Sequence, residues 1–186
     1  VLVGGMMAAF SLVAFAAVLP TRPVALPRAS PRLTAAHSAD VIRPGTILVA
    51  QPDQYDHFYY EAVILVHTHS PQGSRGVLLN RETPFLMGEM AENMGCFADS
   101  PVFRGGGGGP DSVIMVHKCA EVQSGSPIGS SGLFIGGLRE GQAVVEAGKA
   151  QVSDFKFFFN QEEWAPGEIQ TQVDRGVWWV LNEVPA

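Results

Sequence analysis

Arg104 stands at the head of five consecutive glycines, 105–109, and Pro110 and Asp111 close the run. A phosphate cradle aims backbone N–H groups and a helix N-terminus at its anion. The nucleotide-binding form also needs a lysine and a hydroxyl directly after the glycines. Here the next residues are Pro110, Asp111 and Ser112, then the strand-like Val-Ile-Met-Val-His. No lysine or helix start is present, and the dinucleotide fingerprint fails for the same reason. The glycines are therefore expected to let one backbone cross another closely and to turn with positive φ. Arg104 remains the best anion-binding candidate, because a guanidinium beside the bare amides of Gly108 and Gly109 suits a carboxylate or phosphate.

The histidines raise a second chemistry. His67 and His69 lie two apart on one predicted strand and so point to one face, and His117 and Cys119 repeat that spacing on another. Such a set makes a zinc site only in one exact strand register. His67 shares its face with Val63 and Leu65, which suits a hydrogen-bonded histidine at the edge of the core. A Cys-His nucleophile needs a lowered thiol pKa and an oxyanion hole. Spacing alone gives Cys119 neither, and no G-x-S-x-G elbow is present. The run from Gly125 to Gly132 reads as a flexible polar loop. Asn80 and Arg81 come after a predicted strand and can line a ligand site. Alternatively, Asn80 closes a turn through its own side chain while Arg81 pairs with Glu82 or Glu89. The candidate ligand-binding set is His69, Asn80, Arg81, Arg104, Gly108, Gly109 and His117; no catalytic residue, metal ligand or cofactor is assigned.

The elements that must position these residues can be read from the pattern. Residues 46–50, 59–69, 76–80, 100–105, 111–119, 130–137, 154–160 and 177–184 read as strands, and 70–76 as a loop. A helix is expected over 83–95, with Thr83 as its cap, Pro84 in its first turn, Phe85, Leu86, Met90 and Met94 on its buried face and Gly95 as its stop. Two more are expected over 140–148 and 165–176. Trp164, Trp178 and Trp179 surround the last of these and read as core anchors. Most connections are too short for parallel crossovers. The pattern implies a mixed, largely antiparallel sheet with a few helices, in the α+β class.

Of 186 residues 46% are hydrophobic and 16% charged, enough apolar material for one domain's core. Arg22, Arg28 and Arg32 all precede the first acidic residue, Asp40, so the body beyond holds nine basic residues against 18 acidic ones. An acidic body is a poor partner for nucleic acid or an anionic membrane. Cys96 and Cys119 suit two buried thiols. Residues 1–20 carry no charge, with a small-residue site at Ala14-Phe15-Ala16. Residues 21–39 are rich in Arg, Ser, Ala and Pro and hold no acid, which is transit-peptide composition. Residues 1–38 are thus expected to be a signal-plus-transit presequence directing import into a plastid, with a membrane anchor in residues 1–20 as the alternative. Residues 39–186 are expected to form a single domain.

Several runs, in this order, resemble the YqgE/AlgH family across about residues 43–182. They are "PGTILVA"; Asp56, Phe58 and the apolar run ending at His69; "GVLLNRET"; the Gly-Gly-Pro ending at Pro110; His117; "GLFIGG"; Trp164, Pro166, Gly167 and Ile169; and "GVWW". Glu82 replaces the usual Pro, and "NQEEW" stands where the family mostly has Gly-Tyr-Ala-Gly-Trp. The resemblance implies an α+β fold whose strands curl into a barrel-like sheet flanked by helices, and no established enzyme activity. The bacterial name connects the family with transcriptional regulation, yet no DNA-reading helix or basic patch is legible here. The expected function is a non-catalytic regulatory or binding module with a protein or small-ligand partner. The alternative is an anion- or metal-binding protein or enzyme with its site near the glycines.

Overall fold

Three strands open the domain: β1 (Ile47–Ala50), β2 (Val63–Ser70) and β3 (Gly73–Leu78), antiparallel with β2 in the middle. The computed structural model describes residues 42–52 and 58–182; the presequence read from residues 1–38 lies outside the described residues. Ile64, Leu65 and Val66 of β2 are all fully buried, as β-branched and apolar residues of a central strand should be. The stretch 70–76, expected as a loop, is a tight hairpin whose return strand starts at Gly73. That glycine has φ +134°, and a Cβ there would come within 2.5 Å of the Trp164 carbonyl oxygen.

The chain continues through β4 (Glu82–Leu86), the one-turn α1 (Met87–Met90), β5 (Pro101–Arg104) and β6 (Gly108–His117). Then come the two-residue strands β7 (Ser126–Pro127) and β8 (Phe134–Ile135), α2 (Leu138–Glu146), β9 (Phe155–Trp164), α3 (Glu168–Asp174) and β10 (Trp178–Leu181). The sheet runs β10-β1-β2-β3-β9-β6-β8-β7, with β5 beside β9 and β4 beside β5. Among the described residues only β5 and β9 pair in parallel, so the α+β, largely antiparallel expectation holds. The sheet is not closed into a barrel: among the described residues no pairing joins β10 to β7. The loop after β7 instead meets the turn before β1 by contact, Gly129 lying so near Pro44 that a Cβ would fall 2.1 Å from its carbonyl oxygen.

β9 divides the core by alternation, since successive strand residues face opposite sides. Phe155 and Phe157 join Phe97, Met115 and Val144 of α2 in one cluster. Phe158 joins Leu65, Val77, Val116 and Ile128 in another. A third cluster seats α3 and β10 on β1–β3 through Leu48, Ile64, Ile169, Trp164 and Trp178. Gln172 of α3 accepts a hydrogen bond from both indoles, Trp164 at 3.0 Å and Trp178 at 2.8 Å. Both tryptophans are buried anchors as expected, while Trp179 is half-buried.

The long helix expected over 83–95 is a strand followed by a single helical turn. Thr83 does not cap a helix; its hydroxyl donates to the Val102 carbonyl of β5 at 2.6 Å. Pro84 sits in a strand whose one partner is β5, an edge position where a missing N–H is tolerated. Phe85 and Leu86 are exposed at 50% and 39%, the reverse of the predicted buried face. Local helix signals lose here to pairing with β5. The turn forms only where Met87 and Gly88 donate to the carbonyls of Ser100 and Ala98 and Glu89 accepts from the Leu86 amide.

Candidate functional site

The glycine segment leaves β5 at Arg104 and immediately crosses β9. A Cβ on Gly105 would lie 2.1 Å from the Asn160 carbonyl oxygen, and one on Gly106 would lie 1.9 Å from the Gln161 carbonyl carbon. Only glycine allows that approach. The Gly105 amide donates to Phe159 at 2.7 Å and its carbonyl accepts from Leu78 at 2.8 Å. The Gly107 amide donates to the carboxylate of Glu162 at 2.6 Å. Glu162 is 7% exposed, and its other oxygen accepts from the Tyr59 hydroxyl at 3.1 Å. A carboxylate of the protein itself therefore sits where an anion would meet the loop. The segment opens onto β6 and not onto a helix, and Gly108 pairs with Gln161 in the ladder. Gly109 turns with φ +104°.

The residues proposed from sequence fall into three places. Asn80, Arg81, Arg104, Gly108 and Gly109 gather around this crossing. Asn80 clamps the turn before β2, accepting from the Val63 amide at 3.1 Å and donating to the Glu61 carbonyl at 2.7 Å. Arg81 donates to the Tyr60 carbonyl, not to Glu82 or Glu89, and its own carbonyl accepts from the Arg104 amide at 2.7 Å. The Arg104 guanidinium lies 4.8 Å from the centre of the Phe58 ring, a cation–π contact. His69 is elsewhere, at the turn end of the β2–β3 hairpin, bonded through Nδ1 to Ser74 at 2.8 Å. His117 is at the opposite end of β6 from Gly108, on the order of 20 Å away across the six intervening steps of the paired β9. The seven residues do not share one cleft.

The histidine and cysteine readings resolve similarly. A bulge between Val66 and Thr68 makes His67 the extra residue of β2. It bonds Gln161 through Nε2 at 3.2 Å, and burial lowers its pKa. His117 is 1% exposed, stacked on Phe134 with 5.5 Å between ring centres and tilted against Phe155. Burial lowers its pKa too, partly offset by the backbone of Gly136 and Cys119. Burial, then a hydrogen bond to Glu121, pushes the Cys119 thiol up, opposite to what a thiolate nucleophile needs. Among the described residues no His, Cys, Asp and Glu side chains group as a metal site.

One feature the sequence did not show is a cavity of about 640 Å³ over the second face of β9. Its walls are chiefly apolar, with Ile47, Leu65, Leu79, Phe103, Val116, Phe158 and Leu133 of the loop before β8 among them. Ligand pockets fall in this size range and have this character. Its polar lining is sparse. Lys118 pairs with Asp154 at 3.2 Å. Lys156 places its ammonium 4.0 Å from the centre of the Phe103 ring and 3.4 Å from the Leu79 carbonyl. Ser100 also lines the cavity, 5% exposed, and its hydroxyl has no hydrogen-bond partner. The one available signal was the alternation of Lys156 and Phe158 with Phe155 and Phe157; the loop that roofs the space has no periodicity to read.

Comparison with known proteins adds a family. The AlgH-like family matches residues 47–186. A UPF0301 protein of Streptomyces coelicolor is 32% identical over 146 residues, covering 76% of each chain. One of Chlorobaculum tepidum is 27% identical over 144 residues, 77% of this chain and 76% of that one. The crystal structure of protein DIP2367 from Corynebacterium diphtheriae superposes with a TM-score of 0.68 at 25% identity, covering 83% of both chains. The solution structure of the AlgH protein from Pseudomonas aeruginosa gives 0.60 at 18% identity, covering 86% of this chain and 82% of that one, a likeness of fold.

Proposed function

Since the chain belongs to the AlgH-like family, and the relatives it resembles in Streptomyces and Chlorobaculum carry names that assign no reaction, we propose that it is a non-catalytic binding module. Its ligand seats in the apolar cavity between β9 and the loop before β8. The observation that carries this reading is the 640 Å³ volume itself, walled by side chains from β1, β2, β5, β6 and β9. Burying an apolar ligand there removes hydrocarbon surface from water on both partners. Of the charged groups in its walls, Lys118 and Asp154 are bonded to each other.

A neutral solvatochromic dye such as Nile red tests this on the whole chain. Saturable binding with a blue-shifted emission is expected, lost in Leu133→Trp, whose indole fills the space while circular dichroism stays unchanged. No binding to the native chain, or equal binding to both, would overturn the reading. The plastid address belongs to the same proposal, supported by the acid-free, Arg- and Ser-containing composition of residues 21–38. A fluorescent protein fused behind residues 1–38 should enter plastids of an alga with complex plastids, and cytosolic fluorescence would refute it. No helix among the described residues is long and apolar enough to cross a membrane.

A further inference from the structure

We infer that β10 is a self-association edge, along which two copies of this chain join their sheets about a two-fold axis at Trp179, whatever the cavity binds. Among the described residues the sheet ends at β10 on one side and at β7 on the other, and β4 has β5 alone beside it. Two of these three edges carry the features that block strand addition. β4 holds Glu82 and Pro84. β7 is two residues long, and one of them is Pro127. β10 with the residue before it reads Val-Trp-Trp-Val-Leu, without a charge, a proline or a bulge in its register against β1.

Bond parity shows which groups this edge offers. Gln51 donates to the Val177 carbonyl, whereas Ala50 donates away from β10, to Ala62. Trp179 and Leu181 therefore turn their amides and carbonyls toward β1, and those of Trp178 and Val180 point out of the sheet, where no described strand lies. Laid antiparallel against its own copy, β10 sets Trp178 opposite the partner's Val180, and Val180 opposite the partner's Trp178. Each of these pairs exchanges both backbone bonds. Trp179 then meets the partner's Trp179 on the axis as a non-bonded pair, the closer kind, with Cα atoms about 4.5 Å apart. Such a contact is self-complementary and closes at a dimer. Alternation places Trp179 and Leu181 on the sheet face away from Trp178, in cross-strand rows with Val49 and Val63 and with Ile47 and Leu65. Trp179, Leu181, Val49 and Val63 are all half-buried, and the partner's Trp179 extends their apolar row. Charge favours the same place: the chain carries a net charge of -6, and two like-charged copies approach best along a stretch that has none.

The test is sedimentation velocity of the full chain across a concentration series, with Val180→Pro, Trp179→Lys and Trp179→Phe alongside. The edge is short and small interfaces are transient, so a monomer–dimer equilibrium with a dissociation constant on the order of 10 μM is expected. Val180→Pro deletes an N–H that points away from β1, a change an edge strand tolerates, and should weaken the dimer about tenfold or more. Trp179→Lys opposes two like charges on the axis and should leave monomer alone. Trp179→Phe keeps an aromatic pair and should stay within a few-fold of the native chain. Circular dichroism at high dilution checks that each variant is folded. Hydrogen exchange needs no variant: the amides of Trp178 and Val180 should exchange more slowly as the native chain is concentrated. A native chain that stays monomeric to about 1 mM, a dimer that Val180→Pro and Trp179→Lys both leave intact, or exchange at Trp178 and Val180 that ignores concentration would overturn the assignment.

Discussion

The two ends of β9 handle polar groups in opposite ways. Toward its C-terminus, at Gln161 and Glu162, the strand meets the glycine crossing, and the protein's own groups pair there: Gly107 with Glu162, Glu162 with Tyr59, His67 with Gln161, the Asn160 side-chain oxygen alone being buried without a partner among the described residues of this stretch. Toward its N-terminus, at Lys156 and Phe158, the strand floors an apolar cavity, and Ser100 and His117 of the same lining hold buried polar atoms with no hydrogen-bond partner. Gln161 and Glu162 are two of the residues by which the sequence departs from the family's usual Gly-Tyr-Ala-Gly-Trp. The difference teaches that a conspicuous motif can be scaffolding and an apolar hollow with no motif of its own the better functional candidate. Satisfied polar groups hold a fold in shape; unsatisfied ones wait for a partner.

The contrast can be broken most forcefully at Gly106. Ala there pushes a methyl into the Gln161 backbone, and urea unfolding should show a loss of ~3 kcal/mol or more, or no folded protein at all. Gly107→Ala meets only the Phe58 ring edge at 3.4 Å and should cost less than about 1 kcal/mol; equal losses at both sites would refute the crossing. Next is Glu162→Ala, which removes the carboxylate that accepts from the Gly107 amide and the Tyr59 hydroxyl. It should cost about 2 kcal/mol, with Glu162→Gln recovering part of it.

Smaller is the pH dependence. Burial holds His67 and His117 below their ordinary value, so the unfolded chain takes up protons first as pH falls. Their contribution to stability is complete above about pH 6.5 and declines below it. His117→Phe keeps the stack with Phe134 and should make melting temperature fall less steeply with acid; an unchanged slope would exonerate His117. The smallest effect is expected at Asn160, which holds φ +61° opposite Asp111 at +50°. Asn160→Gly should be nearly neutral and Asn160→Ala should lose about 1 kcal/mol, since only the alanine is strained there. A chemical denaturation series ranks the two.

Much of the fold was legible because its signals are local. β2, β6 and β9 are announced by β-branched and aromatic runs, α2 and α3 by their glycine stops, Gly148 and Gly176, both with positive φ. The stretch 83–95 misled because Thr83, Pro84 and Gly95 are genuine helix punctuation, while the force that makes β4 a strand lies in β5, which no local window contains. Asn80 was recognisable as a turn residue, and it clamps Glu61 and Val63, whereas Arg81 takes the Tyr60 carbonyl and not the expected Glu82 or Glu89. The cavity was illegible for a different reason. It depends on how far the sheet bends and on where Leu133 lands, and neither leaves a repeat in the chain. Ser100 reads as an ordinary loop serine until its surroundings are known.

β9 pairs with β3, β5 and β6, and β10 with β1. The seams that join the early strands to the later ones therefore wait for residues beyond Asp154. On a ribosome, the β2–β3 hairpin emerges with a bare edge and keeps it until β9 has been made, when long-range closure locks both halves in one late event. Such a nascent chain is a natural client for a chaperone, and trimming it back past Phe155 leaves it with no route home.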